Sequence, residues 1–503
     1  MIKYFLLLLF LIQLIYICTY VVLPIETLKK ENYISPYTPN SPQDIIYSEQ
    51  CSPIFTELDI GNPPQKIPLL IELETNDYVI RSVHQEVKNI SEVYQNKTLY
   101  DLSDSFLEKY SYFNENISTT FKSKGCERRD IYYRYDEYEW PIAIETCPSN
   151  DTITFYKDIG MKSKTDKKSI YFDLVRYIKD NVTGILGLCL DGERRTPSSF
   201  LRILKNNNFT NSYYWYFDFD SPKNEKGKLV IGSLLDELYG DKYDREDLNH
   251  GKANVGKVFW NLNFNKIFIK NSSETIDLKK DESELSFESN TILASYEYKQ
   301  YFQKIIQNLL NEGKCFNDYF DSCKDLYNSK SNYSFYYCKN EKEVKEELKK
   351  IILPIQFSSI ELNYTFEITI DDILKETKEY IFLKLIFQRW GGGWTMGRPF
   401  SLKYKFMFNP DIKQIAFYPK FKTKKGIQIN WEIFIKVLII IGLCIIFAIL
   451  GIIVGKKLYG IKRKKRANEM NDDDYEYFSE NKKTDGDNNN SNTGDNFNRN
   501  IIN

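Results

Sequence analysis

The side chains that could do chemistry are unevenly supplied in this chain of 503 residues. There are two histidines, His84 and His250, so a His-rich zinc site or a Ser-His-Asp triad has almost no raw material. Carboxylates are abundant, with 69 Asp plus Glu. Acid–base work by paired carboxylates is therefore the chemistry the composition leaves open. Lys plus Arg number 68 against those 69 acids, so no global field draws the chain to nucleic acid. The expected cofactor list is empty, with no metal and no nucleic-acid partner.

The elements that must position such acids follow from the rest of the sequence. The chain is long enough for more than one core, since single domains usually hold roughly 100–200 residues. Met1-Ile2-Lys3-Tyr4 and the apolar stretch from Phe5 to Ile12 read as a signal peptide over residues 1–20. Val437 to Gly455 is an uncharged run of 19 residues, long enough to cross about 30 Å of hydrocarbon as a helix. A transmembrane helix is expected over residues 433–455, and Lys456, Lys457, Lys462, Arg463, Lys464, Lys465 and Arg466 behind it place the tail in the cytoplasm. The predicted topology is single-pass type I, with a lumenal or extracellular ectodomain. Residues 456–503 turn acidic and then Asn-rich, too poor in apolar side chains to fold alone, and read as a disordered cytoplasmic tail.

Nine N-x-Ser/Thr acceptors lie in the predicted ectodomain, at Asn89, Asn96, Asn116, Asn150, Asn181, Asn208, Asn271, Asn332 and Asn363. Setting aside Cys18 and Cys444 leaves seven cysteines where disulfides form. From Cys51 to Tyr418 short runs of Tyr, Phe, Ile and Val alternate with Asn, Asp, Gly and Ser turns, which predicts mostly β structure. Helical periodicity stands out over Tyr298–Leu310 and Glu341–Lys350.

Several segments, in order, carry a family resemblance. They are Phe55 through Ile60-Gly61-Asn62-Pro63-Pro64-Gln65; Gly184-Ile185-Leu186-Gly187-Leu188 with Lys228 through Gly232; Leu353-Pro354-Ile355-Gln356-Phe357; and Trp394-Thr395-Met396-Gly397 through Phe408-Asn409-Pro410 and Gln414 to Tyr418. Together they resemble the pepsin-type aspartic protease family over residues 51–420. The resemblance implies an all-β, two-lobed acid-protease fold with a central cleft. Its lobes fall over residues 51–240 and 241–424, behind a short N-terminal extension at 21–50. That extension is too short and too weakly basic to resemble the family's inhibitory propeptide, so no zymogen step is expected.

Aligned on those segments, the family's two Asp-Thr-Gly loops fall on Glu72-Leu73-Glu74 and Glu288-Ser289-Asn290. The chemistry needs two carboxylates that share one proton and hold one water. Glu keeps the charge but adds a methylene, and misplacement by about 1 Å can cost on the order of a hundredfold in rate. The family Gly lets backbone N–H groups approach the carboxylate; Asn290 tolerates that geometry, Glu74 does not. Ser289 keeps the hydroxyl with which the family braces the two loops, and Leu73 lacks it. Tyr133, twelve residues before Glu145-Thr146, matches the family's flap Tyr, although no Gly marks the hairpin tip. Cys126 and Cys147 lie about Asp136 as a bridge across that hairpin would, and Cys338 occupies a family position whose usual partner is missing, leaving Cys315 or Cys323.

These residues imply a membrane-anchored pepsin homologue, catalytically impaired or inactive, that binds peptide or protein in its cleft. Two alternatives stay open: an active aspartic-type endopeptidase working through a Glu72/Glu288 dyad, and a structural surface glycoprotein. The oligomeric state is not specified.

Overall fold

The computed structural model describes residues 20–27, 37–73, 75, 78–83, 112–124, 131–135, 138–159, 162–178, 183–190, 199–219, 226–252, 260–269, 275–276, 282–287, 289–321, 332–388, 393–419 and 461. The chain divides into Met1–Thr423 and Lys424–Asn503, and the fold below is that of the first unit. The expected signal peptide and the expected span at 433–455 lie outside the described residues. Among the described residues no helix is long and apolar enough to cross a membrane.

Alternating apolar residues build the first lobe as antiparallel hairpins, as in Ile54–Ile60 against Gln65–Glu72, where Phe55 stands opposite Leu70 and Ile60 opposite Gln65. A long hairpin follows, Tyr138–Ile159 against Lys162–Ile178, paired from Ala143↔Ile178 to Ile159↔Lys162. The second lobe has an eight-stranded and a four-stranded sheet of its own. Its helix Tyr296–Asn311 begins at Ser295, whose side chain accepts from the Tyr298 N–H. The helix Lys342–Ile351 buries Val344 and Leu348. Both helices coincide with the segments whose periodicity predicts them.

A single sheet joins the two lobes. Strands Asn249–Lys252, Gln414–Phe417 and Met407–Asn409 continue edge to edge into Trp215–Phe219, Lys226–Ile231 and Val21–Thr27, and from there into the first-lobe hairpins. Val21 pairs with Ile231, so the start of the N-terminal extension is an integral strand of this shared sheet. Large rings seal the junction: Trp215 stacks on Phe408 at 4.4 Å between centroids, and Trp260 meets the same ring at 4.8 Å. Truncating one such buried ring costs about 3–5 kcal/mol, so the lobes are fastened where the chain crosses between them.

Cys315 and Cys338 stand opposite each other on the hairpin Cys315–Asp321/Asn332–Lys339 and form a disulfide. This settles the partner of Cys338 in favour of Cys315. Cys51 and Cys147 are also disulfide-bonded; Cys126 and Cys323 lie outside the described residues.

Candidate active site

In the first lobe, Gln65–Glu72 runs parallel to Gly184–Gly187, with Leu70 opposite Ile185, Ile71 opposite Leu186 and Glu72 opposite Gly187. The chain then turns and comes back on the other side of the same strand as Tyr78–Arg81, antiparallel, with Val79 opposite Ile185. Gly184–Gly187 is thus clasped between the two arms of one loop. The clasp is closed by main chain: the Leu188 N–H donates to Glu72 O at 2.7 Å, and the Cys189 N–H to Thr75 O at 3.0 Å. It is tight enough to require glycine, since a Cβ on Gly184 would lie 2.6 Å from Val79 O. Glu72 at its tip is 2% exposed, and Leu73 beside it is buried.

The second lobe repeats the construction. Glu282–Leu285 runs parallel to Thr395–Met396, with Glu284 opposite Thr395 and Leu285 opposite Met396. The return arm Ile292–Ala294 is antiparallel to the same strand, with Leu293 opposite Thr395. The Ser286 N–H donates to Met396 O at 2.9 Å and the Arg398 N–H to Ser289 O at 2.8 Å. A Cβ on Gly397 would lie 1.9 Å from Thr291 O.

The two ladders fix which residues correspond. Ile185 is flanked by Leu70 and Val79, and Thr395 by Glu284 and Leu293, so both loops span the same number of residues. Two positions beyond Leu70 stands Glu72; two beyond Glu284 stands Ser286. The serine, not Glu288, is therefore the register counterpart of Glu72. Counting along the sequence misses this because strand side chains repeat every second residue, so a shift of two leaves the apolar alternation unchanged. Phe287, the counterpart of Leu73, is buried in the lobe junction, 4.7 Å from the Phe217 ring and 5.7 Å from Phe408. Glu74 and Glu288 lie outside the described residues.

Ser289 uses its hydroxyl within its own loop, meeting Thr291 Oγ1 at 2.7 Å and accepting from the Thr291 N–H at 3.1 Å. A contact between lobes is made instead by Trp260, whose Nε1 donates to Leu188 O at 2.9 Å. Asn290 bonds outward to the helix Pro42–Gln50: its N–H donates to Glu49 O at 2.8 Å and its Nδ2 to Glu49 Oε2 at 2.6 Å. The same carboxylate accepts from Lys375 Nζ and lies 3.4 Å from Lys384 Nζ. Arg398 donates to Ser52 Oγ, just past the end of that helix. Burial works to raise the Glu49 carboxyl, but Lys375, Lys384 and Arg398 outweigh it and hold it below its ordinary range. Burial, with repulsion from Lys375 and Arg398, holds the Lys384 ammonium below its ordinary value despite the attraction of Glu49. No sequence motif marks Glu49, Lys375 or Lys384 as a set.

Tyr133 lies on Ile131–Tyr135, opposite Trp140 on the neighbouring strand, so a hairpin exists where the flap is expected; the backbone alone is described there. Of the expected glycan acceptors, Asn116, Asn208 and Asn363 are exposed and Asn150 is half-buried within a strand. Asn332 begins a strand, and Asn89, Asn96, Asn181 and Asn271 lie outside the described residues.

Two loops, each clasping a strand in its own lobe, with one sheet running through both lobes, define a pepsin-like protein. The family model for eukaryotic aspartyl proteases matches residues 54–417, and the chain belongs to that family. Among solved structures it is similar in fold to conglutin gamma, a basic 7S globulin from lupine seeds, at 12% identity and a TM-score of 0.50. That likeness covers 80% of this chain and 95% of the globulin. No curated protein matches the sequence.

Proposed function

We propose that this protein is a membrane-anchored, glycosylated pepsin homologue that has lost aspartic-protease catalysis and binds peptide or protein in its cleft. The observation that carries the reading is Ser286 in the register position of Glu72. A pepsin-type mechanism takes a proton from water with one carboxylate while the other donates to the scissile carbonyl. A serine hydroxyl is neither a base nor an acid of useful strength near neutral pH. With Ser286 in that position, the second lobe offers a hydroxyl and not a carboxylate at the register counterpart of Glu72. The endopeptidase alternative requires Glu288 to face Glu72, and the equal length of the two loops counts against it.

The anchoring and glycosylation rest on the run from Val437 to Gly455, the basic residues behind it and the N-x-Ser/Thr acceptors. Incubating the detergent-solubilised full chain with a diverse peptide library from pH 3 to 7 tests the catalytic half. Turnover no greater than that of Glu72→Gln is expected, together with retention of some library members on the protein. Cleavage that disappears in Glu72→Gln would overturn the reading.

A further inference from the structure

Five of the nine N-x-Ser/Thr acceptors have a described asparagine, Asn116, Asn150, Asn208, Asn332 and Asn363, and the fold treats their hydroxyl residues differently. Ser118 is buried and accepts from the Asn62 N–H at 3.1 Å. Thr210 and Ser334 are buried, and Thr152 is half-buried in the interior of the strand Tyr138–Ile159. At Asn363 alone among the described acceptors are both the asparagine and its hydroxyl partner, Thr365, exposed. The folded protein presents that acceptor whole.

Asn363 ends the turn between Ile355–Ser359 and Tyr364–Ile368, strands paired from Ile355↔Ile368 to Ser359↔Tyr364. Its φ is 45°, a left-handed conformation that asparagine tolerates, and its N–H donates to Ile360 O at 3.1 Å. The turn is fastened to the lobe at three points. The Ile360 N–H donates to Asn265 Oδ1 at 2.9 Å, Asn249 Nδ2 to Leu362 O at 2.8 Å and Asn263 Nδ2 to Glu361 Oε1 at 2.8 Å, and Leu362 itself is buried. Ile360, at the other end of the turn, is 73% exposed, more than any other large hydrophobic among the described residues. A single exposed isoleucine is ordinary in itself; this one shares a fixed turn with an exposed acceptor. We propose that Asn363 carries a sugar whose first ring lies over Ile360 and completes the turn. In the transfer, Asn363 Nδ2 bonds to the anomeric carbon of a polyprenyl-diphosphate-linked glycan. The anomeric C–O bond breaks, the diphosphate leaves with its electron pair, and Nδ2 gives up one proton. The C–H face of a pyranose ring is apolar, so covering Ile360 removes apolar surface from water, and the fastened turn leaves little further ordering to oppose it. This deepens the glycosylated reading above and rests on it.

Glycopeptide mapping of the full chain, made in a secretory eukaryotic cell and solubilised in detergent, is expected to find Asn363 occupied. Thr365→Ala removes the sugar and leaves Asn363 in place, so its effect is compared in the native and the Ile360→Ser backgrounds. The melting temperature is expected to fall by about 2 °C with Ile360 present, and by less than half as much in Ile360→Ser. When glycan transfer is blocked during synthesis, Thr365→Ala should shift the two backgrounds equally. Amide exchange reads the same contact without a change at position 360: the Asn363 N–H should exchange about threefold more slowly in the sugar-bearing chain than in the sugar-free one. Equal exchange rates, or equal melting shifts in the two backgrounds with the sugar present, would overturn the inference. Asn363 bare while Asn116 or Asn208 carries sugar would do the same and leave the glycosylated reading standing. Sugar at none of the acceptors would sink that reading as well, so the two proposals fail separately.

Discussion

The first-lobe loop carries its acid, Glu72, at the tip of a clasp closed by main-chain hydrogen bonds to Leu188 and Cys189. The second-lobe loop has the same length and the same clasp, but its counterpart residue is Ser286, its next side chain is spent on the lobe junction, and its Asn290 is tied to a helix from elsewhere. Backbone pairing and a glycine too crowded for any Cβ hold both frames in register. The side chains hung on those frames are free to change, because the ladder does not depend on them. The family frame can in this way persist whichever side chains its two loops carry.

The frame is the part most easily broken. Gly397→Ala would drive a Cβ to within 1.9 Å of Thr291 O and 2.7 Å of Ser289 O, both main chain, and a cost of about 3–5 kcal/mol is expected. Denaturant unfolding should show the midpoint fall steeply, whereas Gly313→Ala, in open space, loses only the roughly 1–2 kcal/mol of its positive φ. A mild effect at Gly397 would mean that the second clasp is looser than the first.

The tie from outside the second loop is next in size. Glu49→Ala leaves Lys384 buried beside Lys375 without its carboxylate, and a loss of about 2 kcal/mol is expected, part of it restored by adding Lys384→Met. The groups facing Glu49 are Lys375, Lys384, Arg398 and Asn290. Because they depress the carboxyl from 4.5, its contribution is complete above that pH and is lost as pH falls through the lower folded value. Wild type should therefore lose stability over that acid range, and Glu49→Gln should lack this component. Identical acid profiles would remove the charge pairing from the account.

The smallest effect sharpens the register itself. Ser286→Asp would put a carboxyl at the register counterpart of Glu72, and if the two face each other, two neighbouring acids cannot both ionise cheaply. One carboxyl would then have a raised folded pKa, so the variant should be about 1 kcal/mol less stable than wild type near pH 7 and recover as the pH falls. The absence of any pH-dependent difference would mean that position 286 does not face Glu72.

Much of this architecture was legible along the chain. The strands around Gly61-Asn62-Pro63-Pro64-Gln65, Gly184-Ile185-Leu186-Gly187 and Trp394-Thr395-Met396-Gly397, and the helices at Tyr296–Asn311 and Lys342–Ile351, rest on alternation, periodicity and turn residues that act over a few positions. Those signals are local, so the sequence by itself determines them. Two things it could not decide. A two-residue offset in the second loop preserves the strand alternation, and only the pairing with Thr395-Met396 distinguishes Ser286 from Glu288. Glu49 meets Asn290 across 241 positions and Lys375 across 326, a union that exists only once both lobes have folded, because no local pattern encodes which distant carboxylate will fill a socket of lysines.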